Sequence, residues 1–130
     1  MPLPCKSKTK TSSPRGGKLA EFWARLWLRC HGYRIIAANY RTGRGTHAGE
    51  IDIIALKRNT IIFVEVKKRS GLDKAAYAIR PTQQQRIIRG AEAFLQKHSD
   101  YQNCDVRFDA VLVSFPLRIH HIKNACDINA

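Results

Sequence analysis

Acidic residues are scarce in this chain: 10 Asp and Glu stand against 23 Lys and Arg, a net charge of +13 over 130 residues. That imbalance favours a polyanionic partner, because neutralising phosphates drives association with nucleic acid. Long hydrophobic runs are lacking as well. No apolar stretch approaches the roughly 20 residues needed to span a bilayer, so no membrane partner is expected. The N-terminus carries scattered Lys and Ser but no hydrophobic segment, and it does not read as a secretory signal. Cys5, Cys30, Cys104 and Cys126 show no paired close spacing, which argues against a structural zinc site. Isolated cysteines without an export signal fit a reducing cytoplasm. There are no internal repeats. A chain of this length is expected to be one domain, large enough to bury a core.

The basic excess is uneven. Residues 1–18 hold five basic and no acidic side chains (Lys6, Lys8, Lys10, Arg15, Lys18). Residues 1–16, rich in Lys, Ser, Thr and Pro, read as a disordered basic tail ahead of a folded domain over 17–130. From Lys18 to Cys30, Leu19, Phe22, Trp23, Leu26, Trp27 and Cys30 recur at helical spacing, with Gly32 placed to end the helix. Tyr33–Ala38 reads as a strand and Arg41–Gly49 as a loop. Ile51–Leu56 and Ile61–Lys67 are strands joined by a polar turn. Arg69–Pro81 reads as irregular, apart from a short helix it could hold. A second helix follows from Thr82 to about His98, with Ile87, Ile88, Ala91, Phe94 and Leu95 inward. Strands over Asp105–Phe115 and Arg118–Ile122 complete the order αβββαββ, an α/β fold with a mixed sheet between helices.

Four of the ten acidic residues, Glu50, Asp52, Glu65 and Asp109, fall in strand-like sequence rather than on polar surface. The most informative are Gly49-Glu50-Ile51-Asp52 and, thirteen residues after the Asp, Glu65-Val66-Lys67. Side chains two apart on a strand share a face. A tight hairpin centred on Arg58-Asn59 sets Leu56 opposite Ile61, and in that register Asp52 opposite Glu65 and Glu50 opposite Lys67. Ile51, Ile53 and Ala55 would line one face with Ile62, Val64 and Val66. Ile54, Leu56, Ile61 and Phe63 would share the other with the charges. An ordinary salt-bridge ladder needs a solvated face, whereas strands apolar on both sides are covered by helices. Carboxylates so placed are costly to ionise unless a cation sits between them. A divalent metal ion is the natural candidate.

Asp52 followed by Glu65-Val66-Lys67 resembles the metal site of restriction-endonuclease-like nucleases. The wider pattern is narrower still. Gly17, Glu21-x-x-Ala24-x-x-x-Leu28, Gly32-Tyr33-Arg34-Ile35, Asn39-Tyr40-Arg41, Gly49-Glu50-Ile51-Asp52-Ile53-Ile54-Ala55, Phe63-Val64-Glu65-Val66-Lys67, Arg107-Phe108-Asp109 and His121-Ile122-x-Asn124-Ala125 resemble the YraN-like family of small bacterial predicted endonucleases. That family is itself similar to archaeal Holliday-junction resolvases. The resemblance implies a restriction-endonuclease-like mixed β-sheet flanked by helices, and an endonuclease acting on nucleic acid, DNA before RNA.

It also implies roles. Asp52 and Glu65 would hold Mg²⁺ or Mn²⁺ through oxygen, with the Val66 carbonyl and the helix-borne Glu21 as further ligands. Lys67 would orient the attacking water or stabilise developing charge. Glu50 would serve a second ion or neutralise Lys67. The alternative for Glu21 is an exposed helix carboxylate. Gln84, inward-facing at a helix start, could contact a phosphate or water, or be an ordinary helix-terminal amide; where the family usually has Lys-Gln, this chain has Gln83-Gln84. Arg41, Arg44 and Arg69 border the expected cleft as phosphate contacts. His47 is a loop histidine, in which solvation is the ordinary state. Arg107 and Asp109 share a strand face and read as a buried structural pair. Phe22, Trp23 and Trp27 read as core or as the surface of a homodimer, which junction cleavage would require. Two other readings stay open: a nucleic-acid-binding module with a silent nuclease-like site, and a small structural protein of a ribonucleoprotein or recombination complex.

Overall fold

The computed structural model describes residues 15–43, 48–68, 81–114 and 117–125. Residues 1–14 of the expected basic tail (1–16), the loop residues Arg44 and His47, and Arg69 with the expected irregular segment through residue 80 lie outside them. A helix α1 (Arg15–Cys30) precedes β1 (Arg34–Thr42), β2 (Gly49–Lys57) and β3 (Thr60–Lys68). Helix α2 (Pro81–Lys97), a 3-10 turn over Ser99–Tyr101, β4 (Asp105–Ser114) and β5 (Arg118–Ile122) follow. The strands form one five-stranded sheet in the order β1-β2-β3-β4-β5. Only β3 and β4 run parallel. A parallel pair needs a crossover, and α2 lies on that connection. The α/β order αβββαββ is the expected one.

α1 begins three residues before the expected Lys18 and ends as expected. Gly32 takes φ +92°, its amide donates to Arg29 O at 3.1 Å, and the Tyr33 amide donates to Leu28 O at 3.0 Å. These paired bonds close the last turn as a Schellman motif. The β2–β3 turn falls on Arg58-Asn59, with Leu56 opposite Ile61. Its left-handed residue is Arg58 (φ 56°). The Asn59 carbonyl accepts from the Asp105 amide at 2.8 Å, fastening the turn to the start of β4.

Each face of the sheet is sealed by one helix. Ala20, Ala24 and Leu28 of α1 pack on Ile53, Ala55, Ile62, Val64, Val111 and Val113. Ile87, Ala91 and Phe94 of α2 pack on Ile51, Ile54, Ile61, Phe63 and Phe108. Each large apolar side chain buried here contributes about 1.5–3 kcal/mol. Trp23 and Trp27 lean against the α1 core, but Phe22 is 49% exposed and no part of it.

One residue departs from the expected faces. Ile51 packs under α2, not beside Ile53 under α1. Two residues apart on a regular strand share a face, so alternation breaks at Asp52. The β1–β2 ladder shifts register between Ile35 and Ala37 but keeps it across this point, Ala38 with Ile53 and Tyr40 with Ile51, while Asn39 between them takes φ 54°. Asn tolerates that conformation better than a branched residue would. The strands therefore turn over together at Asn39 and Asp52.

Beyond the break, β2 presses against α2. A Cβ on Gly49 would sit 2.7 Å from Gly90 Cα, and one on Gly90 would meet Ile51 Cδ1 at 2.9 Å. Backbone cannot retreat as a side-chain tip can. Gly49→Ala should cost about 1–3 kcal/mol of stability, read by urea denaturation. An unchanged midpoint would show that the helix has room to move.

Candidate active site

The break in alternation creates the site. The β2–β3 ladder ends at Ile53↔Val64, so Asp52 and Glu65 are not the ladder partners that a regular hairpin would make them. Instead the Asp52 carboxylate takes over the ladder's role: its Oδ2 accepts the Val66 amide at 2.8 Å. Glu65 is 3% exposed and Lys67 shares its face, with Nζ 3.2 Å from Glu65 Oε2. The other oxygen, Oε1, accepts from Gln83 Nε2 at 3.0 Å. Three residues of the expected set, Asp52, Glu65 and Lys67, thus gather at the fork where β2 leaves β3.

Glu50 is elsewhere than expected. It does not reach Lys67 but pairs with Arg41 across β1 at 3.3 Å and with Arg86 of α2 at 3.6 Å. Peeling β2 from β3 moves Glu50 away from Lys67 and towards both. Arg86 and Gln83 were not singled out in the sequence. The buried stripe of α2 is Ile87, Ala91 and Phe94, and Gln83 stands four residues before Ile87, in line with it. Had Ile87-Ala91-Phe94 been read as the whole stripe, Gln83 would have been the polar residue extending it. Gln84 is half-buried on the adjoining flank.

The electrostatics at Asp52 are dominated by burial and by neighbouring acid. Burial pushes the Asp52 carboxyl up to about 7, and the charges of Glu65, Glu21 and Glu50 push the same way, against the Val66 hydrogen bond. Burial also raises the Glu21 carboxyl, opposed by a hydrogen bond from Asn39 and by Arg25. The residue that turns β1 over is therefore the one that holds Glu21. Four carboxylates from α1, β2 and β3 act on one another here. Among the described residues no three His, Cys, Asp or Glu side chains are placed so as to hold a metal ion as they stand. A magnesium site does not require three, since that ion keeps several waters and uses one or two carboxylates. Hard oxygen donors with a carboxyl forced towards neutrality suit such an ion: added positive charge would let Asp52 ionise.

The expected Arg107–Asp109 pair is present and is larger than expected. Arg107 Nε and Nη2 each donate to Asp109 at 2.8 Å, His121 Nε2 donates at 2.8 Å and the Asn124 amide at 3.2 Å. Asp109 is two residues from Val111 of the α1-side core, on the face opposite Glu65. It belongs to the scaffold. No helix among the described residues is long and apolar enough to cross a membrane.

The family model described as "Uncharacterised protein family UPF0102" matches residues 20–113. A UPF0102 protein of Paramagnetospirillum magneticum is 45% identical over 124 residues, covering 95% of this chain and 95% of its own. One from Bradyrhizobium sp. strain ORS 278 is 47% identical over 124 residues, 91% of this chain and 85% of its own. Another, from Bradyrhizobium sp. strain BTAi1, is 51% identical over 113 residues, 87% of this chain and 80% of its own.

Proposed function

The chain belongs to the UPF0102 family, the YraN-like family its motifs resemble, and from that premise we propose that it is a Mg²⁺- or Mn²⁺-dependent endonuclease. It hydrolyses phosphodiester bonds of nucleic acid, with DNA, including branched DNA, as the substrate class. The observation that carries this reading is Asp52: a carboxyl brought towards neutrality by burial and by Glu65, Glu21 and Glu50, with Lys67 on Glu65. Carboxyls perturbed by burial and by specific charged neighbours cluster at functional sites.

Each residue has a task in this scheme. The Val66 amide fixes the Asp52 carboxylate at the fork. Gln83 and Lys67 hold the two oxygens of Glu65. Glu21, hydrogen-bonded to Asn39, adds its negative charge to the field at Asp52. The metal, when bound, supplies Lewis acidity towards a phosphate oxygen and lowers the pKa of a water. Lys67 is 41% exposed in its side chain, so its ammonium can turn from Glu65 to the charge developing on the phosphoryl group.

The test is cleavage of labelled single-stranded, duplex, flap and four-way-junction DNA with Mg²⁺ or Mn²⁺. Wild type should cut in a metal-dependent way, and Lys67→Ala should be slower by about 10²-fold. Binding without cleavage under either metal would leave a nucleic-acid-binding module with a silent site.

A further inference from the structure

We infer that Arg41 and Arg86 form a phosphate-contact pair that Glu50 holds in check, its carboxylate standing where a backbone phosphate of the nucleic acid docks. The inference rests on the nucleic-acid reading of the site and adds to it a residue, Arg86, and a device. Carboxylate and phosphate are recognised by the same guanidinium fork. Two guanidiniums from different elements, β1 and α2, converge on one carboxylate, which is a phosphate-binding arrangement with an internal anion in it. The contacts are loose, at 3.3 and 3.6 Å, with Arg41 73% and Arg86 45% exposed in their side chains. Charge-assisted bonds at full strength are shorter, roughly 2.7–2.9 Å. Exposed pairs of this kind contribute at most about 1 kcal/mol, so exchanging Glu50 for a phosphate costs little.

Position supports the exchange. Glu50 lies within the field of Asp52, so the two arginines flank the acidic fork that would act on the scissile bond. Arg86 sits in the second turn of α2, whose first turn supplies Gln83 to Glu65. Glu50 then discriminates: a single weak anion does not displace it, whereas a polyanion with several contacts does.

The experiment is fluorescence anisotropy of a short labelled DNA duplex in EDTA, titrated over a salt series. Arg86→Ala should weaken binding and lower the slope of log K against log salt by about one. Glu50→Gln should tighten binding by about 3-fold, and that gain should disappear in Arg41→Ala/Arg86→Ala. Glu92→Gln, an exposed acid elsewhere on α2, controls for net charge and should give no comparable gain. The inference is overturned by a Glu50→Gln gain that survives removal of both arginines, or by an Arg86→Ala slope equal to that of wild type. Divalent ions are absent throughout, so the outcome is independent of cleavage. Coupling in a protein that never cuts would sink the nuclease reading alone. Cleavage without coupling would sink this one alone.

Discussion

In metal-free buffer at pH 8, Asp52→Asn should be more stable than wild type by about 1–3 kcal/mol. The Asp52 carboxyl titrates near 7 in the fold against an ordinary 3.8. Between those values the native protein holds a proton that the unfolded chain has released. Stability therefore falls as pH rises from about 4 to about 7, and above that the whole penalty is present. Asn carries no charge to desolvate, and its amide oxygen can still accept the Val66 amide. The gain should shrink towards zero at pH 4, where wild type is protonated too. Asp52 is half-buried, so solvent screens part of the penalty.

The same substitution should abolish the response to metal. Mn²⁺ should raise the wild-type urea midpoint increasingly above pH 7, because the ion binds the ionised form and the native state alone. Asp52→Asn should show no such rise, and cleavage should fall by about 10³-fold. Loss of stability at pH 8 in EDTA would mean that the carboxylate is held by a positive partner in the fold, and the cation argument would go with it. A midpoint indifferent to Mn²⁺ in both proteins would point to a silent site.

The hairpin and both helical stripes were legible because they rest on periodicity, which is local. Leu56 opposite Ile61 follows from where a polar turn falls, and Asp52, Glu65 and Lys67 still meet because the fault falls just beyond the ladder's last pair, Ile53 with Val64. The fault at Asn39 and Asp52 is not periodic. Extrapolating the register through it placed Glu50 beside Lys67 and Ile51 beside Ile53, both wrongly. A left-handed Asn39 facing an Asp on the next strand is a pairing of two backbones, invisible along either one. Gln83 and Arg86 were missed for a different reason. Which residues of α2 reach the sheet depends on how the helix is rotated over it, and Gly49 against Gly90 sets that rotation by a contact forty-one residues apart in sequence. His121 joins Asp109, and Tyr33 joins Arg107, from distant parts of the chain, so only the Arg107–Asp109 pair, two residues apart, could be read in advance.

That buried network should give the largest stability loss in the molecule: Asp109→Ala is expected to cost about 3–5 kcal/mol. The carboxylate is 0% exposed, and it joins Arg107 on its own strand to His121 on β5 and to the Asn124 amide beyond it. Arg107 Nη2 also donates to Tyr33 OH at 2.8 Å, so one anion fastens β4, β5 and the segment leaving α1. Burial by itself would raise the Asp109 carboxyl, but hydrogen bonds from His121 and Arg107, the Arg107 charge and the Asn124 amide hold it below the ordinary carboxylate range. Its stabilisation is therefore complete above the ordinary value and is lost as pH falls through the lower native one. The gap between wild type and Asp109→Ala should be widest above pH 5 and should narrow in stronger acid. Asp109→Asn, which keeps an acceptor for Arg107 but no charge, should fall between them. Because Asp109 lies on the α1 face and Glu65 on the α2 face, the folded fraction of Asp109→Asn should keep the Mn²⁺-dependent rise of its urea midpoint. Loss of that rise with the fold intact would show that the network reaches the fork through β3, and would move Asp109 from the scaffold to the positioning of the site.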